Sequence, residues 1–84
     1  MPITFEEAKE LRIGQTLYHV TMRDANRTPS KWRVNGKVKL WKRSPWRIQV
    51  PISRGLYQHN YLNEGTINLG LLCLTEEEAM KGLR

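Results

Sequence analysis

Across residues 31–43 the chain alternates apolar side chains with cations: Lys31-Trp32-Arg33-Val34-Asn35-Gly36-Lys37-Val38-Lys39-Leu40-Trp41-Lys42-Arg43. A period of two has one regular solution, an extended strand whose successive side chains point to opposite faces. Trp32, Val34, Val38 and Leu40 then share a face that can pack, and Lys31, Arg33, Lys37, Lys39 and Trp41 share a face that can bind. The phase also bears on Asn35-Gly36, a pair that ordinarily marks a two-residue hairpin turn. Such a turn would set Val34 opposite Lys37 and turn Val38 and Leu40 away from Trp32. The even-numbered phase therefore favours one long strand over residues 30–42, bent at Gly36 where a missing side chain tolerates a bulge. A three-residue hairpin loop also keeps the phase and remains open.

Helix signals bracket the chain. Thr4 followed by Glu7 is a capping box, with Ile3 and Ala8 at the staple positions and Gly14 placed to turn the chain away, which predicts a helix over 5–11. Leu74-Thr75-Glu76-Glu77-Glu78-Ala79 repeats the pattern, and its acids suit a helix N-terminus, predicting a second helix over 76–81. Between them the period is two. Residues 15–23 set Tyr18, Val20 and Met22 against Leu17, His19 and Thr21, and the polar stretch 24–29 reads as a loop. Arg43-Ser44-Pro45-Trp46 reads as a turn, followed by a strand with Trp46, Ile48, Val50 and Ile52 on one face and Arg47 and Gln49 on the other. Pro51, lacking an amide hydrogen, belongs near that strand's end or on an edge. A fourth strand over 56–62 aligns Tyr57, His59 and Tyr61, and Asn63-Glu64-Gly65 signals a turn. Residues 67–73 fit either a closing strand or an irregular apolar segment. The expected core is Tyr18, Val20, Trp32, Val34, Val38, Leu40, Ile48 and Val50.

With 84 residues the chain is a single small domain, 1–84, in a size range where folding buries only roughly 60% of the unfolded surface. A strongly bent strand among short antiparallel strands predicts a mainly β fold. The expected form is a small SH3-like half-open barrel of four or five antiparallel strands with short terminal helices. The runs Arg33-Val34-Asn35-Gly36-Lys37-Val38, Arg47-Ile48-Gln49-Val50, Gly55-Leu56-Tyr57 and Leu74-Thr75-Glu76-Glu77-Glu78-Ala79 resemble small SH3-like β-barrel proteins of phage and prophage origin, a group without a settled activity. The resemblance covers most of the chain. It implies the fold and, for a phage-encoded protein, residence in the host cytoplasm and action on a host protein. No apolar run approaches the ~20 residues that span a bilayer, so no membrane partner is expected. The amino end lacks a basic and apolar leader, and the single cysteine, Cys73, agrees with a reducing compartment; both point to a cytoplasmic location.

Function is written mainly in charge. Residues 23–54 hold ten of the fourteen Lys and Arg residues against one acid, Asp24, in a chain of net charge +6. Cations repeating on one strand face lie roughly 7 Å apart, close to phosphate spacing along a nucleic-acid strand. The candidate nucleic-acid-binding residues are Lys31, Arg33, Lys37, Lys39, Lys42 and Arg43 for phosphates and Trp41 for base stacking. The bland alternative is a solvated outer face with Trp41 packed on a neighbour. Tyr57, His59 and Tyr61 form a second aromatic stripe, read as barrel-wall packing in preference to an extended binding surface. His19, His59 and Cys73 have no paired spacing for zinc, and Cys73 between two leucines reads as a small buried hydrophobe, so no metal or cofactor is expected. There is no glycine-rich phosphate loop and no serine placed with a histidine and an acid, so an enzyme is the least supported class. Two readings remain: a nucleic-acid-binding module, DNA or RNA, and a phage-encoded protein-interaction module meeting an acidic protein surface or a sheet edge.

Overall fold

Thr4 opens the first helix with both halves of its capping box. Its hydroxyl accepts from the Glu7 amide at 3.2 Å, and Glu7 Oε1 accepts from the Thr4 amide at 3.0 Å. In the computed structural model, which describes residues 2–43 and 47–81, this helix is α1 (Phe5–Lys9), shorter than expected. There follow β1 (Thr16–Arg23), β2 (Pro29–Val34), β3 (Lys39–Leu40), β4 (Ile48–Arg54), β5 (Gln58–Asn63), α2 (Glu64–Asn68), β6 (Leu72–Cys73) and α3 (Glu76–Lys81). Ser44, Pro45 and Trp46, the expected turn, lie outside the described residues. The fold is mainly β: six strands in one antiparallel sheet, with β5 and β6 at its two edges and no pairing that closes them among the described residues. α2 is a correction to the expected turn and apolar segment. Asn63 caps it by accepting from the Thr66 amide at 2.9 Å, a signal carried by Asn-x-x-Thr in place of the usual glutamate.

β2 and β3 are two pieces of one bent path, not the arms of a hairpin. β5 occupies one edge of β4, pairing from Gln49↔Asn63 to Arg54↔Gln58, while β2 and β3 follow each other along the opposite edge. Arg33 pairs with Ser53 and Lys39 with Gln49, so six steps on one side match four on the other. An excess of two residues bends the chain without inverting its faces, whereas an excess of one would have turned every later side chain over.

Pro51 explains where the excess sits. It lies inside β4 and not near its end as the sequence suggested. Its carbonyl accepts from the Asn35 amide at 3.0 Å, so its missing N–H faces the same edge, where residues 35–38 leave the ladder. No ladder bond is lost. Gly36 is pressed against the ring: a Cβ there would stand 2.7 Å from Pro51 Cγ. The demand on Gly36 is for space, since the left-handed glycines are Gly14, Gly55 and Gly70.

The core divides in two. Leu17 pairs with Trp32 and Val34 with Ile52, and these join Ile48, Val50, Leu62 and Leu72 beneath α1 residues such as Ala8. Trp32 Nε1 donates to the buried Ser30 hydroxyl at 3.2 Å, so the indole enters the core without an orphaned donor. Tyr18 and Val20 share a face as expected, but it is the opposite one, packed with Cys73 and Ala79 of α3. β1 is therefore covered on both sides. Leu40, expected in the core, pairs with Ile48 yet remains 56% exposed because the sheet extends past the core there; Val38 is half-buried.

Trp32→Ala is expected to destabilise the domain by about 3–5 kcal/mol in denaturant melts; wild-type stability would show that the indole is not a core element. Gly36→Ala is expected to cost about 1–3 kcal/mol through overlap with the proline ring, and clearly less in a Pro51→Ala background. Equal losses in the two backgrounds would remove Pro51 as the cause.

Candidate nucleic-acid interface

Strand register decides which side chains share the surface opposite the main core. Arg33 stands beside Ser53, Ser53 beside His59, Pro51 beside Tyr61, and Gln49 between Lys39 and Asn63. Lys31, Arg33 and Lys39 thus lie on one face with His59 and Tyr61. The barrel-wall reading of the tyrosine stripe is corrected: Tyr61 is 52% exposed, His59 is exposed, and Tyr57 sits 92% exposed in the turn after β4 rather than in a strand. α3 packs mainly against β1, β2 and β6, while His59 and Tyr61 of β5 stay exposed.

Three shallow grooves follow one another across this surface. The largest, about 530 Å³, is lined by Trp41, Arg43, Ile48, Gln49, Asn60, Tyr61 and Asn63. A smaller one of about 330 Å³ lies between Asn35, Pro51, His59 and Tyr61. The third, about 440 Å³, brings Lys31 and Arg33 together with Thr16, Ser53 and the exposed Leu56. From Ser53 to Gln49 the rise along β4 is about 13 Å, so basic and aromatic grooves sit roughly two nucleotide steps apart. Of the residues singled out from sequence, Trp41 and Arg43 enter the aromatic groove, Lys31 and Arg33 the basic one. Lys39 stands on the face between them, and Lys37 and Lys42 are exposed on the flanking loops without lining a groove. Trp41, 48% exposed, is not packed away, and its amide is tied to the Arg47 carbonyl at 2.8 Å. Gln49, Asn60 and Asn63 were not anticipated; strand pairing sets Asn63 beside Gln49, and Asn60 lines the groove from β5 although its partner is the buried Ile52.

The charges are sorted by the fold. Arg47 grips Glu64 with two guanidinium nitrogens, Nη2 to Oε2 at 2.8 Å and Nε to Oε1 at 3.0 Å, while its carbon lies 4.5 Å from the Phe5 ring centre. The Arg47 hydrogen bond holds the Glu64 carboxyl below its ordinary range. Arg54 pairs with Asp24 at 2.7 Å. The seven cations from Arg27 to Arg43 make no salt bridge among the described residues. The basic face therefore keeps its charge. Among the described residues no group of three His, Cys, Asp or Glu is placed to hold a metal ion, and no helix is long and apolar enough to cross a membrane.

Away from the grooves, His19 Nδ1 accepts from the Met22 amide at 3.0 Å and the Thr21 amide at 3.1 Å, which requires the neutral ring. Burial, then the charges of Arg23 and Arg54, hold its pKa below the ordinary 6.5. Comparison with family models, with curated proteins and with solved structures gives no match to this chain.

Because the folded state disfavours charged His19, its contribution to stability is complete above about pH 6.5 and is lost as pH falls below that value. Thermal melts are expected to show a lower Tm at about pH 5.5 than at about pH 7.5, and His19→Asn, which keeps an acceptor but cannot titrate, should flatten the difference. An unchanged pH profile in that variant would place the titration elsewhere.

Proposed function

We propose that this protein is a small basic nucleic-acid-binding module on an SH3-like half-open barrel. Phosphate contacts would lead its affinity and aromatic stacking would add to it. The observation that carries the reading is the coincidence, on one sheet face, of exposed cations outside any salt bridge with two half-exposed aromatic rings lining a groove. The barrel reading is supported by the bent β2–β3 path, which pairs with β1 at one end and β4 at the other, and by the short α2 between β5 and β6. A phage origin and the host cytoplasm remain the setting that the sequence resemblance suggests. One observation favours the second reading, a protein-interaction module. Among the described residues β5 pairs only with β4 and leaves an edge open beside the exposed Leu56 and Tyr57, where a partner strand can add.

Fluorescence anisotropy on labelled oligonucleotides tests the first reading. With about four phosphates neutralised, log affinity against log salt is expected to slope near about −3 for single strands and slightly more steeply for duplex. Lys37→Glu with Lys39→Glu is expected to abolish binding and leave the melting curve intact, because both side chains are exposed and outside the core. A folded wild-type protein that binds no oligonucleotide at low salt would reject the reading and leave the protein-interaction module in front.

A further inference from the structure

β5 (Gln58–Asn63) is an edge strand that carries none of the devices that commonly keep such an edge from pairing. It has no Lys, Arg, Asp or Glu and no proline, and it pairs with β4 from Gln58 to Asn63 without a bulge. β3 and β6, two residues each, are protected by shortness. Strand parity fixes which backbone groups of β5 face out. Neighbouring residues of a strand direct their amide and carbonyl to opposite edges, and the two groups of one residue go together. The Pro51 carbonyl accepts from Asn35 on the β2 side of β4, so Tyr61, opposite Pro51, makes no ladder bond there and aims its own groups outward. His59 and Asn63 follow the same parity. Two of these three outward amides are already held. Asn60 Oδ1 accepts from the Tyr61 amide at 2.8 Å, and Thr66 Oγ1 accepts from the Asn63 amide, more loosely, at 3.4 Å. The His59 amide alone remains, and it supports a single rung. An added strand needs donors at successive outward positions, and a carbonyl brought up to Tyr61 would lose its water and find the amide taken.

We propose that Asn60 is the latch of this edge: by holding the Tyr61 amide, its side chain keeps two copies of the chain from joining their β5 strands into one continuous antiparallel sheet. A second copy is the occupant that the edge itself fits. An antiparallel pair of β5 strands is two-fold symmetric, sets no like charges directly opposite each other, and closes at two chains because the other edges are short. A strand from any other protein would have to displace the same side chain before it could add at Tyr61. The inference stands apart from nucleic-acid binding and is tested without an oligonucleotide.

The test is sedimentation velocity of the full chain at about 100 μM, in about 0.3 M salt so that repulsion between two copies of net charge +6 is screened. Wild type is expected to sediment as one chain. Asn60→Val removes the acceptor and favours extended backbone, and is expected to move the mass from one chain toward two. Its thermal melt should stay close to wild type, because Asn60 is exposed. Adding Tyr61→Pro is expected to return the protein to one chain. The Tyr61 amide makes no bond to β4, so a proline there removes only the edge donor. A dimer that persists in the double variant would arise from the new valine surface and overturn the proposal. So would an Asn60→Val protein that stays single, or a wild type already paired. Amide exchange decides the matter even where the proline variant does not fold. In a dilute Asn60→Ala sample the Tyr61 amide is expected to exchange about fivefold faster than in wild type, and equal rates would show that Asn60 holds nothing.

Discussion

The contact of Gly36 with the Pro51 ring is the constraint on which the rest of the molecule depends. β4 carries a proline whose missing donor must face something other than a ladder partner, and the facing chain answers with an excess of two residues over the ladder and a glycine small enough to pass the ring. Since two residues are inserted, side-chain phase is preserved from β2 into β3. The same event that bends the chain toward both halves of the sheet thus keeps Lys31, Arg33 and Lys39 on one face and Trp32 and Val34 on the other. Fold and basic face share a single geometric cause.

Charge is distributed by a second constraint. Glu64 and Asp24 lie near strand termini, where each takes up one arginine of the basic middle third. The Arg47 pair also joins α1 to the start of β4 and to α2 through the Phe5 ring, so its fork is structural in position. Exposed pairs contribute little, typically well under about 1 kcal/mol, but this one is half-shielded and bidentate. With those arginines engaged at the periphery, the cations of the open face repel one another without compensation. A small domain tolerates that field only because the side chains reach water, and the same exposure makes them available to a polyanion.

Much of this architecture was legible in the sequence. The capping boxes gave α1 to within two residues and α3 over its observed span, and the alternation of apolar and basic residues gave the bent strand and its faces. What escaped detection had physical reasons. α2 is only five residues long, too short for helical periodicity to register, and its asparagine cap looks like a turn. Tyr18 and Val20 were placed in one core with Trp32 because a strand is ordinarily packed on one side. The α3 helix that covers the other side of β1 is distant in sequence. Pro51 suggested a strand end because the compensating gap opposite it belongs to a segment fifteen residues away. The aromatic groove was half legible: Trp41 and Arg43 stood out, whereas Gln49, Asn60 and Asn63 are ordinary amides until strand pairing gathers them.

Trp41 and Tyr61 are two of the large side chains whose positions burial does not account for. A chain of this size has little core to spare, and leaving a large ring about half in water forgoes on the order of 2 kcal/mol of burial per ring. Both rings nevertheless stand on hydrogen-bonded backbone. Tyr61 is within the β4–β5 ladder, and Trp41 is fastened through its amide to Arg47 just beyond the β3–β4 pairing. Each ring has only two side-chain torsions to fix when a flat partner settles on it, so the entropic penalty of binding is small. A half-exposed aromatic ring on hydrogen-bonded backbone is poorly suited to a core, and under the proposed nucleic-acid reading it is available to a stacked base.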